Sequence, residues 1–256
     1  RSVSLVDPEK GYEIQTADAG VEPMGIALTA TQETLLVASS ATGELLAFDT
    51  QSLSRLFTIK LASPWPIAVA AHPDGRRAYV SHLHGADVDI IDVPMQRVTG
   101  QLKLPANDTG LPGRRMFQRR QNRVPNLALA LTVSPGGKRL FVGHTMTDTG
   151  NTRPAAVRGG GYGMARPGEL PIVSTVAAFD LDTNRIIRPQ MKRGPHARRK
   201  QVHLTNARVH REHQQVRLLS QPIAVAHNPV TAELLLVARG SDRVMSLNTV
   251  KSDPIT

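Results

Sequence analysis

Apolar residues along this chain come in short runs of about five, separated by turn clusters rather than spaced at the three-to-four-residue interval of a helix. The runs recur in a fixed order: a proline and a first run, a turn, a second run ending in Val, another turn, and a third run ending in Asp or Asn. The two best copies are EPMGIALTATQETLLVASSATGELLAFD and WPIAVAAHPDGRRAYVSHLHGADVDIID. They are in register throughout, because Pro23 to Pro66 and Asp49 to Asp92 both span 43 residues. A third copy, LALALTVSPGGKRLFVGH, resumes after a gap at VSTVAAFD, and a fourth runs QPIAVAHNPVTAELLLVARGSDRVMSLN from Gln221 to Asn248. The opening SVSLVD, ending at Asp7, reads as the tail of an earlier copy.

A period of about 40 to 45 residues with three or four short strands per unit predicts propeller blades, since a single such sheet cannot bury both faces without neighbours. Helical solenoids share the period but need runs of ten or more residues. The expected fold class is therefore all-β, a β-propeller of four-stranded antiparallel blades. In the first full copy, strand a is expected at Gly25 to Leu28, b at Thr34 to Ala38, c at Glu44 to Phe48 and d at Arg55 to Leu61. The expected blades cover roughly residues 1–18 (half a blade), 22–62, 64–105, 126–190 and 221–250. Propellers close with about four to eight blades, and about four and a half are visible, so the chain reads as a partial propeller of a larger, seven-bladed type. The alternative is a small ring in which Ser2 to Ala17 completes the last blade.

Three insertions interrupt the repeat, at 105–125, 145–171 and 189–221. In a four-stranded meander the b–c loop and the d-to-a connection leave from one end, and the a–b and c–d turns from the other. All three insertions are of the first kind. One rim is thus expected to carry every long excursion, and long loops in compact folds are where binding concentrates. Candidate residues on that rim are His82, His84 and His144, with Arg114, Arg115, Arg119 and Arg120 in the first insertion. His82 and His144 lie nine residues after the aligned prolines Pro73 and Pro135, at the expected end of strand b in adjacent blades. Imidazoles so placed could converge on a metal or a substrate; the structural alternative is a His that closes the b–c turn by bonding backbone. Trp65, the single tryptophan, is read as a packing plug near the channel mouth.

The net charge of +10 looks like a nucleic-acid signal until it is located. Residues 111–123 contribute +5 and residues 185–217 contribute +9, which leaves −4 for the rest. The segment Met191 to Leu219 reads as a solvated loop, as a stretch translated out of frame, or as a binder of anions. Few aromatics accompany its charge to stack on bases, which argues against nucleic acid. The run GGGYG at Gly159 to Gly163 lacks the Lys and Ser or Thr of a phosphate loop. There is no cysteine, so disulfides, thiolate metal sites and covalent haem attachment are excluded within this segment. No apolar stretch is long enough to be a membrane-spanning helix. No G-x-S-x-G elbow or H-E-x-x-H helix is present, and catalysis has no support at this level.

AHPDGRRAYVSH followed by ADVDIID resembles the YVTN-type β-propeller repeat of bacterial and archaeal proteins, and SPGGKRLFVGH and NPVTAELLLVA are looser versions. More narrowly, NLALALTVSPGGKRLFVGHTMTDTGN followed by a loop and LPIVSTVAAFDLDT is similar to large secreted bacterial proteins in which such a propeller is joined to a di-haem cytochrome c peroxidase-like module. That resemblance implies an extracytoplasmic, non-catalytic scaffold in the periplasm or at the cell surface. Its partner would be a neighbouring module of the same polypeptide or a separate protein. It implies no cofactor in this chain, and haem c only in a module outside it. Two alternatives remain: a lactonase-like propeller hydrolase, and a basic binder of nucleic acid or anionic polymer.

Overall fold

A computed structural model describes residues 1–85, 87–104, 106, 123–148, 172–187, 222–228, 230–231, 233–239 and 243–248. Among the described residues there are seventeen strands: β1 (Ser2–Val6), β2 (Glu13–Asp18), β3 (Pro23–Leu28), β4 (Thr34–Ser39), β5 (Glu44–Asp49), β6 (Arg55–Lys60), β7 (Pro66–Ala71), β8 (Arg77–His82), β9 (Asp87–Asp92), β10 (Arg97–Lys103), β11 (Arg123–Val133), β12 (Arg139–Asp148), β13 (Ile172–Asp180), β14 (Arg185–Ile186), β15 (Pro222–Asn228), β16 (Glu233–Ala238) and β17 (Arg243–Asn248). They form three four-stranded antiparallel meanders, β3 to β6, β7 to β10 and β11 to β14, a three-stranded sheet, β15 to β17, and the hairpin β1–β2. These are propeller blades, and strands a to d of the first full copy fall where the repeat places them. The hairpin and the β15 to β17 sheet are separate sheets, so the alternative in which Ser2 to Ala17 completes the last blade does not hold.

Small local signals shape each blade. Strand a opens with a bulge, between Pro23 and Gly25, Pro66 and Ala68, or Pro222 and Ala224, because proline has no N–H to give the ladder. Strand c ends on an Asp whose carboxylate accepts the backbone N–H groups that follow it. Asp49 takes those of Gln51 and Ser52, Asp92 that of Met95, and Asp180 that of Thr183. Four residues after each Asp the chain turns through positive φ, at Leu53, Gln96 and Asn184. Those bonds, from Ser52 first of all, hold Asp49 below the ordinary carboxylate range.

Strands b and c are buried on both faces, which is why their sequences are almost continuously apolar instead of alternating. Alternate residues face alternate neighbours. Leu36, Ala38, Leu45 and Ala47 pack forward on Val69, Val80 and Ile91 of the next sheet. Leu35, Val37, Leu46 and Phe48 pack backward on Val3, Leu5 and Ala17 of the β1–β2 hairpin. The same construction joins Tyr79, Val88 and Leu102 to Leu140 and Phe179, and Phe141 and Val176 to Leu234 and Leu236. Each fully buried side chain of this size is worth about 1.5–3 kcal/mol, so the repeat is held chiefly by these four inter-sheet layers. Leu235 and Val237, repeat equivalents of the fully buried Leu36 and Ala38, are each 36% exposed on the open side of the last sheet.

The β11–β12 hairpin is longer than its counterparts. Arg123 to Asn126 pair with Asp148 to Thr145, so regular structure extends into ranges the repeat had left to connections. The remainder of the three insertions lies outside the described residues.

Candidate binding face

One rim is assembled from the b–c loops and the segments leading into strand a. Trp65 O accepts the N–H of Leu83 (2.8 Å), and Leu83 O accepts that of Leu127, at the entry to the next sheet (2.9 Å). Glu22 O and Val21 O receive Ser40 and Ala41 in the same way one blade earlier. Glu22, Trp65 and Leu127 share a φ of 50 to 57°, so the left-handed residue ahead of strand a belongs to the repeat. The long connections between β10 and β11, β12 and β13, and β14 and β15 all start and finish on this rim. The other rim carries the tight a–b and c–d turns, where His72 meets Gly137 O at 2.7 Å and Arg77 reaches Leu181 O at 3.3 Å.

His82 ends β8 and is fully buried. Its Nδ1 donates to Pro64 O (3.1 Å), and its Nε2 lies 3.2 Å from Asp89 Oδ2, off the line of an aligned hydrogen bond. Asp89, also fully buried, accepts from Ala62 N–H (2.9 Å) and from Gln101 Nε2 (2.8 Å), which also donates to Ser63 Oγ. Burial pushes the Asp89 carboxyl up, but the close His82 imidazole and the Gln101 hydrogen bond outweigh it and hold the group below its ordinary range. This network ties the segment 62–64 to the blade that follows it. Neither His82 nor Asp89 has solvent access, and the contacts of both run to backbone and to neighbouring side chains.

His144 occupies the repeat position of His82 but finds different surroundings. It is 3% exposed, with Nδ1 facing Val142 O at 3.2 Å. The expected strand end at His144 is corrected here: β12 runs on to Asp148 because β11 supplies a partner that far. His84 is exposed and stands edge-on to Trp65, with ring centroids 6.5 Å apart and planes at 75°. Trp65 itself is 43% exposed, which corrects the reading of it as a packing plug. Its backbone is left-handed, at φ 56°, and a proline follows it. Beside it lies a shallow cleft of about 240 Å³ between the 40–43 turn and the 60–65 segment, across which Lys60 Nζ donates to Thr42 O. The rim therefore offers an aromatic plate, an imidazole and an ammonium group.

Arg114, Arg115, Arg119 and Arg120 lie outside the described residues, as do GGGYG and Met191 to Leu219. Among the described residues no group of three or more His, Cys, Asp or Glu could hold a metal ion, and no helix is long and apolar enough to cross a membrane. Pattern reading missed Asp89 and Gln101, the buried polar partners beside His82. A signal for Asp89 exists, since it stands where the preceding copy has Leu46.

No family model and no curated protein matches the chain. Solved structures do. It is similar to Kuenenia stuttgartiensis hydrazine synthase (TM-score 0.69, 19% identity), covering 98% of this chain and 59% of that one. It is also similar to the Cps50 (Swd1) β-propeller domain of Myceliophteria thermophila (TM-score 0.56, 12% identity, 98% of this chain and 64% of that one). A third likeness is to a chain of a nidogen/laminin complex (TM-score 0.53, 12% identity, 96% and 69%). The chain spans about three-fifths of the first two. At these identities the likeness concerns the fold, and the fold is a β-propeller.

Proposed function

We propose that this chain is a non-catalytic propeller module that docks a neighbouring module through the rim bearing Trp65 and His84. The observation that carries the reading is the shared rim: three long connections are all anchored there, while among the described residues the opposite rim has tight turns. The buried state of His82 and His144 supports a scaffold over a hydrolase, since neither reaches solvent. On the resemblance to YVTN-type propellers joined to a di-haem peroxidase-like module, the partner is a haem-containing electron-transfer unit of the same polypeptide, on the extracytoplasmic side.

The reading frame flanking residues 1–256 tests the haem part. Paired C-x-x-C-H motifs and a secretory leader support it, and a frame with neither overturns it. Cross-linking of the full polypeptide tests the rim. Cross-links from the partner should fall on Lys60 and Lys103, at the b–c and d–a end, and spare Lys138 and Lys10 in the turns of the other end. Cross-links concentrated on Lys138 and Lys10 would overturn the docking rim.

A further inference from the structure

The β1–β2 hairpin fills only the outer half of a blade position. Its turn is a c–d turn: Asp7 Oδ1 accepts from Glu9 and Lys10 N–H at 2.9 and 3.0 Å, and Gly11 carries the positive φ four residues on. Counting from Asp7, Val3, Leu5 and Ala17 are the equivalents of Leu45, Ala47 and Ile59 one blade later. Each set packs on the sheet that follows it. In the later blade strands a and b also contribute, with Ala27, Leu36 and Ala38 covering the inner part of the next sheet. Nothing among the described residues takes those places in front of β3. Ile26 is accordingly 63% exposed, whereas Val69, the same position 43 residues on, is 8% exposed. Met24 and Leu28, on the same face of β3, are also more than half exposed. The edge of β1 that in β5 pairs with β4 has no strand against it among the described residues.

We infer that this space is the seat of a β-hairpin of the same repeat. Its second strand adds antiparallel to the free edge of Ser2–Val6, and its first covers Met24, Ile26 and Leu28. The equivalent interface says what the occupant looks like. A Cβ on Gly25 would lie only 2.7 to 3.0 Å from backbone atoms of residues 67–69, so neighbouring a strands approach with almost no side chain between them. The hairpin must therefore place Gly or Ala third in its first strand and apolar residues at alternate positions of its second. It is neither a helix nor a single charged peptide: the seat has an unpaired strand edge for backbone bonds and an apolar floor for side chains.

A synthetic peptide of residues 64–84, which carries this pattern from the chain's own second full blade, is the probe. Added to the intact chain, it should bind saturably and slow amide exchange in Ser2–Val6. The Ile26→Asp variant, altered at an exposed site, should keep the native circular dichroism and bind about tenfold or more weakly. The same peptide with Tyr79→Pro, unable to complete its second strand, should not bind. No protection of β1, or affinity indifferent to Ile26→Asp, would overturn the proposal. So would a concentration-dependent dimer that Ile26→Asp dissolves, because the face would then belong to a second copy of this chain.

Discussion

His72 Nε2 lies 2.7 Å from Gly137 O, linking the a–b turn of one blade to that of the next across 65 residues of chain. Its Nδ1 accepts the N–H of Asp74 at 3.0 Å, which leaves Nε2–H as the donor to the carbonyl. Gly137 is fixed as glycine twice over: its φ is +71°, and a Cβ there would fall 2.7 Å from His72 Cε1. Gly137→Ala should destabilise the chain by about 2–4 kcal/mol, from left-handed strain plus the clash. In urea denaturation the His72→Ala/Gly137→Ala pair should lose less than the sum of the single variants, since removing the ring relieves the clash and leaves only the φ strain.

That contact marks a limit of what the chain's pattern discloses. Blades and strands were legible because each copy repeats its proline, turn and terminal Asp at the same spacing, and because strands closed in on both faces, such as TLLVAS, cannot alternate. The shared rim followed from meander topology alone. Side-chain partners across blades were not legible. His82 and His144 hold one repeat position, yet one turns to Asp89 and Pro64 and the other to its own strand. What separates them is the neighbouring residue each meets, and a repeat read along the chain does not show that. Trp65 was misplaced for a related reason: what covers an indole depends on the segments that pack beside it, which composition does not encode.

Gln96 sits at φ +53° in the exposed c–d turn that follows Asp92. Gly11 serves the same place in the first hairpin without a Cβ to strain. Gln96→Gly should therefore stabilise the chain by about 0.5–1 kcal/mol, read as a higher urea midpoint at unchanged slope. The entropy glycine adds to the unfolded chain makes this a net figure.

Asp74 couples the fold's stability to acid. Burial raises its carboxyl, but the Arg77 guanidinium and the N–H groups of Arg76 and Arg77 win and bring it from 3.8 to about 2. A depressed carboxyl stabilises the fold above the unfolded value and loses that contribution as pH falls through the folded one. The loss should thus run from about pH 4 to about pH 2. Its bare size, about 2 kcal/mol, falls to roughly 1 kcal/mol once solvent screening at a site one-third exposed is allowed for. Asp74→Asn should flatten that portion of the stability profile, measured by urea titration at stepped pH. Asp89, likewise depressed, adds to the loss in the same direction.

The buried pair of His82 and Asp89 offers the sharpest separation of stability from positioning. Removing one partner should be costly, about 3–5 kcal/mol for Asp89→Leu, because His82, Gln101 and the Ala62 N–H are left facing an apolar side chain. The preceding blade shows another solution in the same three places, with Ser39, Leu46 and Thr58 where this blade has His82, Asp89 and Gln101. There Ser39 Oγ simply donates to Val21 O at 2.9 Å. The triple variant His82→Ser/Asp89→Leu/Gln101→Thr should consequently recover to within about 1 kcal/mol of the parent, as well-packed replacements of buried polar clusters do. It should still loosen the 62–65 segment, because Ala62 N–H loses its bond to the Asp89 carboxylate even where Ser at position 82 keeps Pro64 O as its acceptor. Trp65 is the sole tryptophan, so its fluorescence anisotropy reports that segment directly. Recovered stability with lowered anisotropy would assign the pair to holding the rim in shape, whereas unchanged anisotropy would leave it a purely internal filler of the blade.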